Sequence, residues 1–478
     1  MKIIVLLILT LALGFGQINW HREVIDSSLI VYSFGMFNSL AIDTNDAPGV
    51  VYCDGAVHKI FYALKIGNLW YRETVDSNFF VAFGYSLFYD NHNTPHMSYY
   101  RVNTQTSENT HLCYAKRNTA GWQISIIDTI RYQFPSKSEM KTSLVLDTAG
   151  LPAIAFTEHD SVDSQYIKYA YFNGNSWDTS TVEHDSNPQL RDWSPSLEFD
   201  KHNRPHIVFY QNNRYISNQD TLKYYLRDSL NHWTLQWAKY LYGEGAPSLD
   251  LELVFDKYPH IAYDDGATLA YSWWDGYAWQ TDYIIDIGWV GVRIRLAFDS
   301  YDHPHIVYLP DMEMAVHYCY KEDNIWYNSA IEPDTAITTP GHPDIDIKIG
   351  KNNRVYVLYC TEPYYNNYRY VKCAWRDLVG IEENHTGYRM QDTRCKLKIF
   401  PNISCGVLNI KYRLMDNGDA ELAIYDVDGV RIKSIKQKNY LPGKYQQTIN
   451  VSNLASGIYF LVLKQNNEQV SKKFLLIR

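Results

Sequence analysis

The sequence predicts an all-β fold: a seven-bladed β-propeller with N-terminal strand closure, followed by a C-terminal Ig-like β-sandwich. Three observations predict it. A unit of about 50 residues recurs along most of the chain. The last copy lacks a piece that stands near residue 20. The charge balance changes near residue 395.

Each unit reads Ser-Leu, an apolar strand ending in Asp, a turn, Pro-(His)-Ile/Val and Tyr, then a Tyr-Ala strand and a Trp strand. The first copy is Ser39-Leu40, Asp43, Pro48, Tyr52, Tyr62-Ala63 and Trp70; the second runs from Ser86-Leu87 through Pro95-His96 to Trp122. Later copies carry Pro152 and Trp177, Pro205-His206 and Trp233, Pro259-His260 and Trp279, and Pro304-His305 and Trp326. The seventh, from Ile345 to Ala374, has no Trp strand of its own. Four short strands per unit, repeated radially, leave few exposed edges, which is the propeller solution. The 41 Tyr, 13 Trp and 18 Phe suit strands, and helical periodicity is hard to find.

The missing strand is expected at the other end of the chain. Trp20-His21-Arg22-Glu23-Val24-Ile25-Asp26 matches Trp70-Tyr71-Arg72-Glu73-Thr74-Val75-Asp76. An outer strand there would complete blade seven and cover an open edge.

Ahead of it, Met1-Lys2 is followed by the apolar run Ile3 to Leu13, too short for the roughly 20 residues of a membrane-spanning helix. Gly14 and Gly16 place small residues before a cleavage point at Gln17, so residues 1–16 read as a signal peptide. A buried N-terminal strand is the plainer alternative. No later segment is long and apolar enough to span as a helix, so no transmembrane segment is expected. The expected domains are a propeller over 17–381, a polar linker over 382–395 and a sandwich over 396–478.

Formal charge is −9, which argues against nucleic acid as a partner. From Lys396 onward 13 Lys and Arg face 6 Asp and Glu, whereas the rest of the chain carries −16. Seven cysteines permit disulfides without forming a dense framework. Cys53 with Cys360, and Cys395 with Cys405, are conceivable pairs; buried free thiols are an equal reading.

Repeated residues read as scaffold. The Asp-x4-Pro turns suit tight hairpins, and they lack the acidic spacing and terminal Glu of a calcium loop. His96, His206, His260 and His305 recur at one blade position, far apart around a ring, so a hydrogen bond to a neighbouring blade is expected rather than a metal site. No metal and no cofactor is expected.

Function is expected in the irregular loops joining strands two and three and joining successive blades, which share one face. These loops hold Arg131, Tyr132, His159, Asp160, Arg191, Trp193, Tyr242, Glu244, Asp264, Asp265 and Trp289. Aromatic and charged groups together suit a carbohydrate or protein ligand; capping of the blade cores is the structural alternative. Catalysis has little support. Asp264 and Asp265 are adjacent rather than opposed, and no nucleophile elbow, zinc motif or phosphate loop occurs. A non-catalytic binding protein is therefore the leading reading, and a secreted glycosidase or polysaccharide lyase the alternative.

The last segment alternates as strands separated by the turns Asp416-Asn417-Gly418-Asp419 and Asp426-Val427-Asp428-Gly429. It carries Phe400-Pro401-Asn402, Ile424-Tyr425-Asp426 with Gly429, Leu454-Ala455-Ser456-Gly457-Ile458-Tyr459-Phe460, and Lys472-Lys473-Phe474-Leu475-Leu476. In this order these residues resemble the C-terminal sorting domain of the bacterial type IX secretion system. Ile403 stands where that family usually has a second Pro. The resemblance implies contact with the secretion machinery, passage across the outer membrane, and an extracellular or surface location, with the domain then removed or used for attachment.

Overall fold

The computed structural model describes residues 20–29, 38–55, 57–77, 79–103, 109–130, 141–159, 165–183, 190–213, 220–241, 248–254, 258–266, 268–286, 293–310, 315–322, 324–332, 344–361, 368–378, 396–400, 403–404, 406–414, 418–426, 430–440, 443–465 and 468–476. The signal-peptide and linker segments lie outside them. The chain divides into two compact units, one holding Met1–Tyr271 and Asp282–Val379, the other Gly380–Arg478 together with Ser272–Thr281. Regular structure among the described residues is entirely β.

Seven four-stranded antiparallel sheets follow one another, an arrangement consistent with a seven-bladed propeller. Blade 1 is Asn38–Ile42, Pro48–Asp54, Lys59–Ile66 and Leu69–Asp76. Blades 2 to 6 repeat this order from Val81–Tyr89 to Ile325–Ala330. Blade 7 takes Asp346–Ile349, Arg354–Thr361 and Tyr368–Asp377, and its fourth strand is His21–Leu29, from near the N-terminus. That strand pairs antiparallel with Tyr368–Asp377, His21 opposite Trp375 and Leu29 opposite Tyr368.

The repeated residues bind each blade to the next. On the innermost strand, Oγ of Ser39, Ser86, Ser143 and Ser196 accepts the backbone N–H of Leu87, Leu144, Leu197 and Leu251 in the following blade. Asp250 does the same for Leu296 at 2.9 Å, and Asp346 of blade 7 for Leu40 of blade 1 at 2.8 Å. At the equivalent place in blade 6 stands Arg295, which has no acceptor to offer. The N–H of Ile347 in blade 7 bonds instead to its own neighbour Asp346, at 2.9 Å. Each satisfied buried amide avoids a desolvation cost of about 1–3 kcal/mol.

The outer strands carry a second set of ties. The Trp of one blade packs edge-on against the strand-three Tyr of the blade before it: Trp122 on Tyr62, Trp177 on Tyr114, Trp233 on Tyr169, Trp326 on Tyr271. Three residues after the Trp, an acid takes the indole N–H and a strand-three cation of the next blade. Glu73 takes Trp122 and Arg117, and Asp282 takes Trp326 and Lys321. Glu23 on the N-terminal strand takes Trp70 and Lys65 of blade 1. At the end of the Trp strand a further acid takes a phenol O–H of the next blade: Asp26 from Tyr52, Asp76 from Tyr99, Glu332 from Tyr359. The Trp-x5-Asp/Glu spacing is thus a double fastening between blades.

One expectation is corrected, and one pair of alternatives is decided. The recurrent histidines bond within their own blade: Nδ1 of His96, His206, His260 and His305 meets the hydroxyl of Tyr114, Tyr224, Tyr271 and Tyr318. His96, His206 and His305 also face their own turn Asp at 3.4–3.6 Å. The Asp, His and Tyr of one blade already sit on one face of the sheet, so no neighbour is needed. Cys53 and Cys360 are buried thiols not joined in a disulfide; burial pushes the Cys53 thiol up to about 12. Cys395 and Cys405 lie outside the described residues.

In the second unit a three-stranded and a five-stranded sheet share one core of Leu408, Ile410, Leu422, Ile424, Ile449, Leu461, Leu463 and Phe474.

Candidate ligand-binding site

Successive residues of a strand point to opposite faces, so positions two apart share the side that faces the propeller axis. In blades 1 to 4 the central axis-facing position is Ser; in blades 5 to 7 it is Asp250, Arg295 and Asp346. Two residues earlier stand Lys141, Arg293 and Asp344, and two residues later Glu198, Glu252 and Lys348. Five acids and four bases therefore face the axis in three tiers, concentrated on blades 4 to 7.

The first tier lies at the strand starts, at the end where the long connecting loops enter. Lys141 Nζ is 3.5 Å and Arg293 Nε 2.7 Å from Asp344 Oδ1, and all three side chains are buried. Three separate blades thus converge on one carboxylate. In the third tier Lys348 Nζ lies 3.8 Å from Glu252 Oε1, with both side chains partly accessible.

Burial brings the Lys141 ammonium down to about 7, helped by Arg295 and opposed by Asp344. Burial also pushes Glu252 up to about 7; Lys348 opposes this, while Asp250 and Asp346 add to it. Glu198 is raised by burial and by Glu252, and Asp346 by burial. Burial works against the charge of Lys348, but Glu252 and Asp346 outweigh it and raise its pKa. Two groups of opposite type, in different tiers, are thus shifted toward 7.

The loop residues expected from the sequence are mostly not brought together by described structure. Arg131, Tyr132, Asp160, Tyr242, Glu244 and Trp289 lie outside the described residues, as do Pro401, Asn402 and Gly429 of the sorting motif. His159 ends a strand opposite Gln165, while Arg191 and Trp193 begin one opposite Asn212 and Tyr210. Asp264 and Asp265 are buried in a turn: Asp264 caps the N–H of Gly266 at 2.8 Å, and Lys239 of blade 4 lies 3.4 Å from Asp265. Both belong to the packing between blades 4 and 5. Among the described residues no group of three His, Cys, Asp or Glu is placed to hold a metal ion.

Sequence reading missed the charged axis. The signal was present in the repeat: the Ser-Leu of blades 1 to 4 becomes Asp250-Leu251, Arg295-Leu296 and Asp346-Ile347.

In the second unit, Asp426 closes its turn through Val430, whose N–H it accepts at 2.8 Å. Gly457 opens the strand Gly457–Gln465, on which Tyr459 stacks on Phe474 and donates to the Ala455 carbonyl at 2.9 Å. Lys472 and Lys473 lie opposite Leu461 and Phe460 in the same sheet.

The chain thus joins seven propeller-like four-stranded sheets to a separate C-terminal β unit. Residues 398–477 match the secretion system C-terminal sorting domain, the type IX domain that marks proteins for the cell surface or extracellular space. No helix among the described residues is long and apolar enough to cross a membrane. No curated protein matches the sequence. Among solved structures, the chain is similar to a Dyadobacter fermentans protein of unknown function (12% identity, 74% of this chain and 98% of that one, TM-score 0.44). It is similar also to an α-L-arabinanase of Penicillium chrysogenum complexed with arabinobiose (11%, 74% and 97%, 0.46). A third is an ulvan lyase of family PL25 bound to a GlcA(1-4)Rha3S ligand (10%, 75% and 98%, 0.46).

Proposed function

We propose that this protein is a secreted or surface-attached binding propeller, delivered by its sorting domain, with its ligand engaged on the long-loop face. The reading takes residues 1–16 as a signal peptide, 17–381 as a propeller closed by its N-terminal strand, 382–395 as a linker and 396–478 as an Ig-like sandwich. The observation that carries it is the departure from the repeat. Scaffold positions repeat from blade to blade; the axis-facing positions of blades 4 to 7 do not, and their first tier lies beneath the loop face. A buried ion triad joining three blades fixes the strand starts from which those loops spring. A ligand rich in hydroxyl and charged groups, carbohydrate or protein, matches the loop residues His159, Arg191 and Trp193 and the segments around Arg131 and Trp289.

One observation favours a second reading, a carbohydrate-active enzyme. Glu252 is partly accessible beside Lys348 at 3.8 Å, and burial raises its carboxyl toward neutrality, where a general acid works best. A glycan array together with a polysaccharide hydrolysis and elimination screen on the purified protein separates the two. Retention on glycans without turnover supports the binding protein. Turnover that is lost in Glu252→Gln overturns it in favour of the enzyme.

A further inference from the structure

A cleft of about 510 Å³ opens between blades 3 and 4 at the end carrying the short turns, opposite the long loops. Beside it, blade 3 lacks a side chain that recurs in other blades. Blades 2, 4, 5 and 6 place a His after the strand-two Pro, and its ring bonds the strand-three Tyr. Blade 3 has Ala153 there, directly opposite Tyr171 in register. Asp147 and Tyr169, the residues such a His would join, instead line the cleft. Tyr171 takes over the carboxylate, donating to Asp147 Oδ2 at 2.9 Å.

Blade 1 also lacks the His, yet is filled. A Cβ on Gly49 would meet the Tyr89 hydroxyl at 1.9 Å, because Tyr89 of blade 2 reaches into that space and meets the Tyr62 hydroxyl at 2.5 Å. At the matching place in blade 4 stands Phe199, which has no hydroxyl to repeat the bond. The space between blades 3 and 4 therefore stays open.

We propose that this cleft is a second ligand site and that it takes a neutral sugar residue. Its volume lies in the range of small-molecule sites, roughly 300–1,000 Å³. Its wall sets the partly exposed ring of Tyr171, backed by the buried Tyr169 ring parallel to it within 6°, beside Asp178, Asn203, Arg204 and Arg227. Ring faces suit the C–H face of a pyranose. Carboxylate, amide and guanidinium groups side by side suit hydroxyls, which both donate and accept. The cations are already committed: Arg204 Nε donates to Asp200 at 2.7 Å, and Arg227 lies over Tyr169 and Trp233. The lining also holds three carboxylates, Asp147, Asp178 and Asp228, against these two guanidiniums, so no surplus positive charge selects an anion.

The test titrates methyl glycosides of glucose, galactose, mannose and fucose, and methyl glucuronide, into the full chain by ligand-observed NMR. The wild type should bind at least one neutral glycoside. Ala153→His, which rebuilds the blade histidine, should weaken that binding roughly tenfold or more without lowering Tm. Asp178→Ala, an exposed change that leaves the fold intact, should weaken it as well and decides the matter if Ala153→His fails to fold. Absence of binding to every neutral glycoside overturns the proposal. So does binding unchanged by these substitutions, or a preference for the glucuronide over its neutral parent. Failure of a loop-face ligand leaves this outcome untouched, because the substituted residues lie at the opposite end of the blades.

Discussion

Trp20, from the N-terminal strand, packs edge-on against Tyr318 of blade 6, with ring centroids 5.1 Å apart and planes at 85°. The same relation joins Trp122 to Tyr62 and Trp326 to Tyr271, both at 5.4 Å. A residue more than 290 positions from Tyr318 in the chain thus occupies a repeat position of the fold. Trp20 is 6% exposed. Trp20→Ala should cost about 3–5 kcal/mol, and Trp20→Phe, which keeps an aromatic edge, clearly less. Denaturant unfolding of the two variants measures this.

Glu252 makes stability depend on pH. Its folded-state pKa of about 7 lies above the ordinary carboxylate value, so between about pH 4.5 and 7 the folded protein binds the extra proton. Its contribution is therefore present below about pH 4.5 and lost as pH rises toward 7. Glu252→Gln should remove that slope, gaining roughly 2 kcal/mol relative to wild type at pH 7.5 compared with pH 4.5. Thermal melts across this range check the sign; a wild type that gains stability relative to the variant as pH rises contradicts it.

Residues 398–477 carry the export signal. A chain truncated before residue 396 should accumulate inside the outer membrane, while the intact chain reaches the surface or the medium. Immunoblots of medium and of protease-treated whole cells distinguish these locations.

Much of the fold was legible because a propeller writes its geometry into spacing. Ser-Leu, Asp, Pro, Tyr and Trp recur at intervals that fix four strands per blade, and Trp20 with Asp26 reveals the displaced strand. What spacing along a strand does not reveal is the partner across the sheet. His96 was expected to reach the next blade, yet register puts Tyr114 and Asp90 within its own. Cys53 and Cys360 occupy equivalent positions on adjacent blades, yet the two buried thiols form no disulfide. The charged axis was hidden for another reason. Asp250, Arg295 and Asp346 look like ordinary polar substitutions in three distant strands, and only the propeller geometry brings them to one axis. The loop candidates rested on residue type alone, and Asp264 and Asp265 proved to be buried turn residues.

The account turns on His21–Leu29 being the fourth strand of blade 7, and one measurement addresses it most directly: the Tm of the chain lacking residues 20–29, with and without a synthetic peptide of residues 17–31. Deletion removes Trp20, Glu23 and Asp26 together and bares the edge of Tyr368–Asp377. Tm is predicted to fall by roughly 5 °C or more, and the peptide to restore most of the loss. A deleted chain that melts at the wild-type temperature and ignores the peptide would contradict the account.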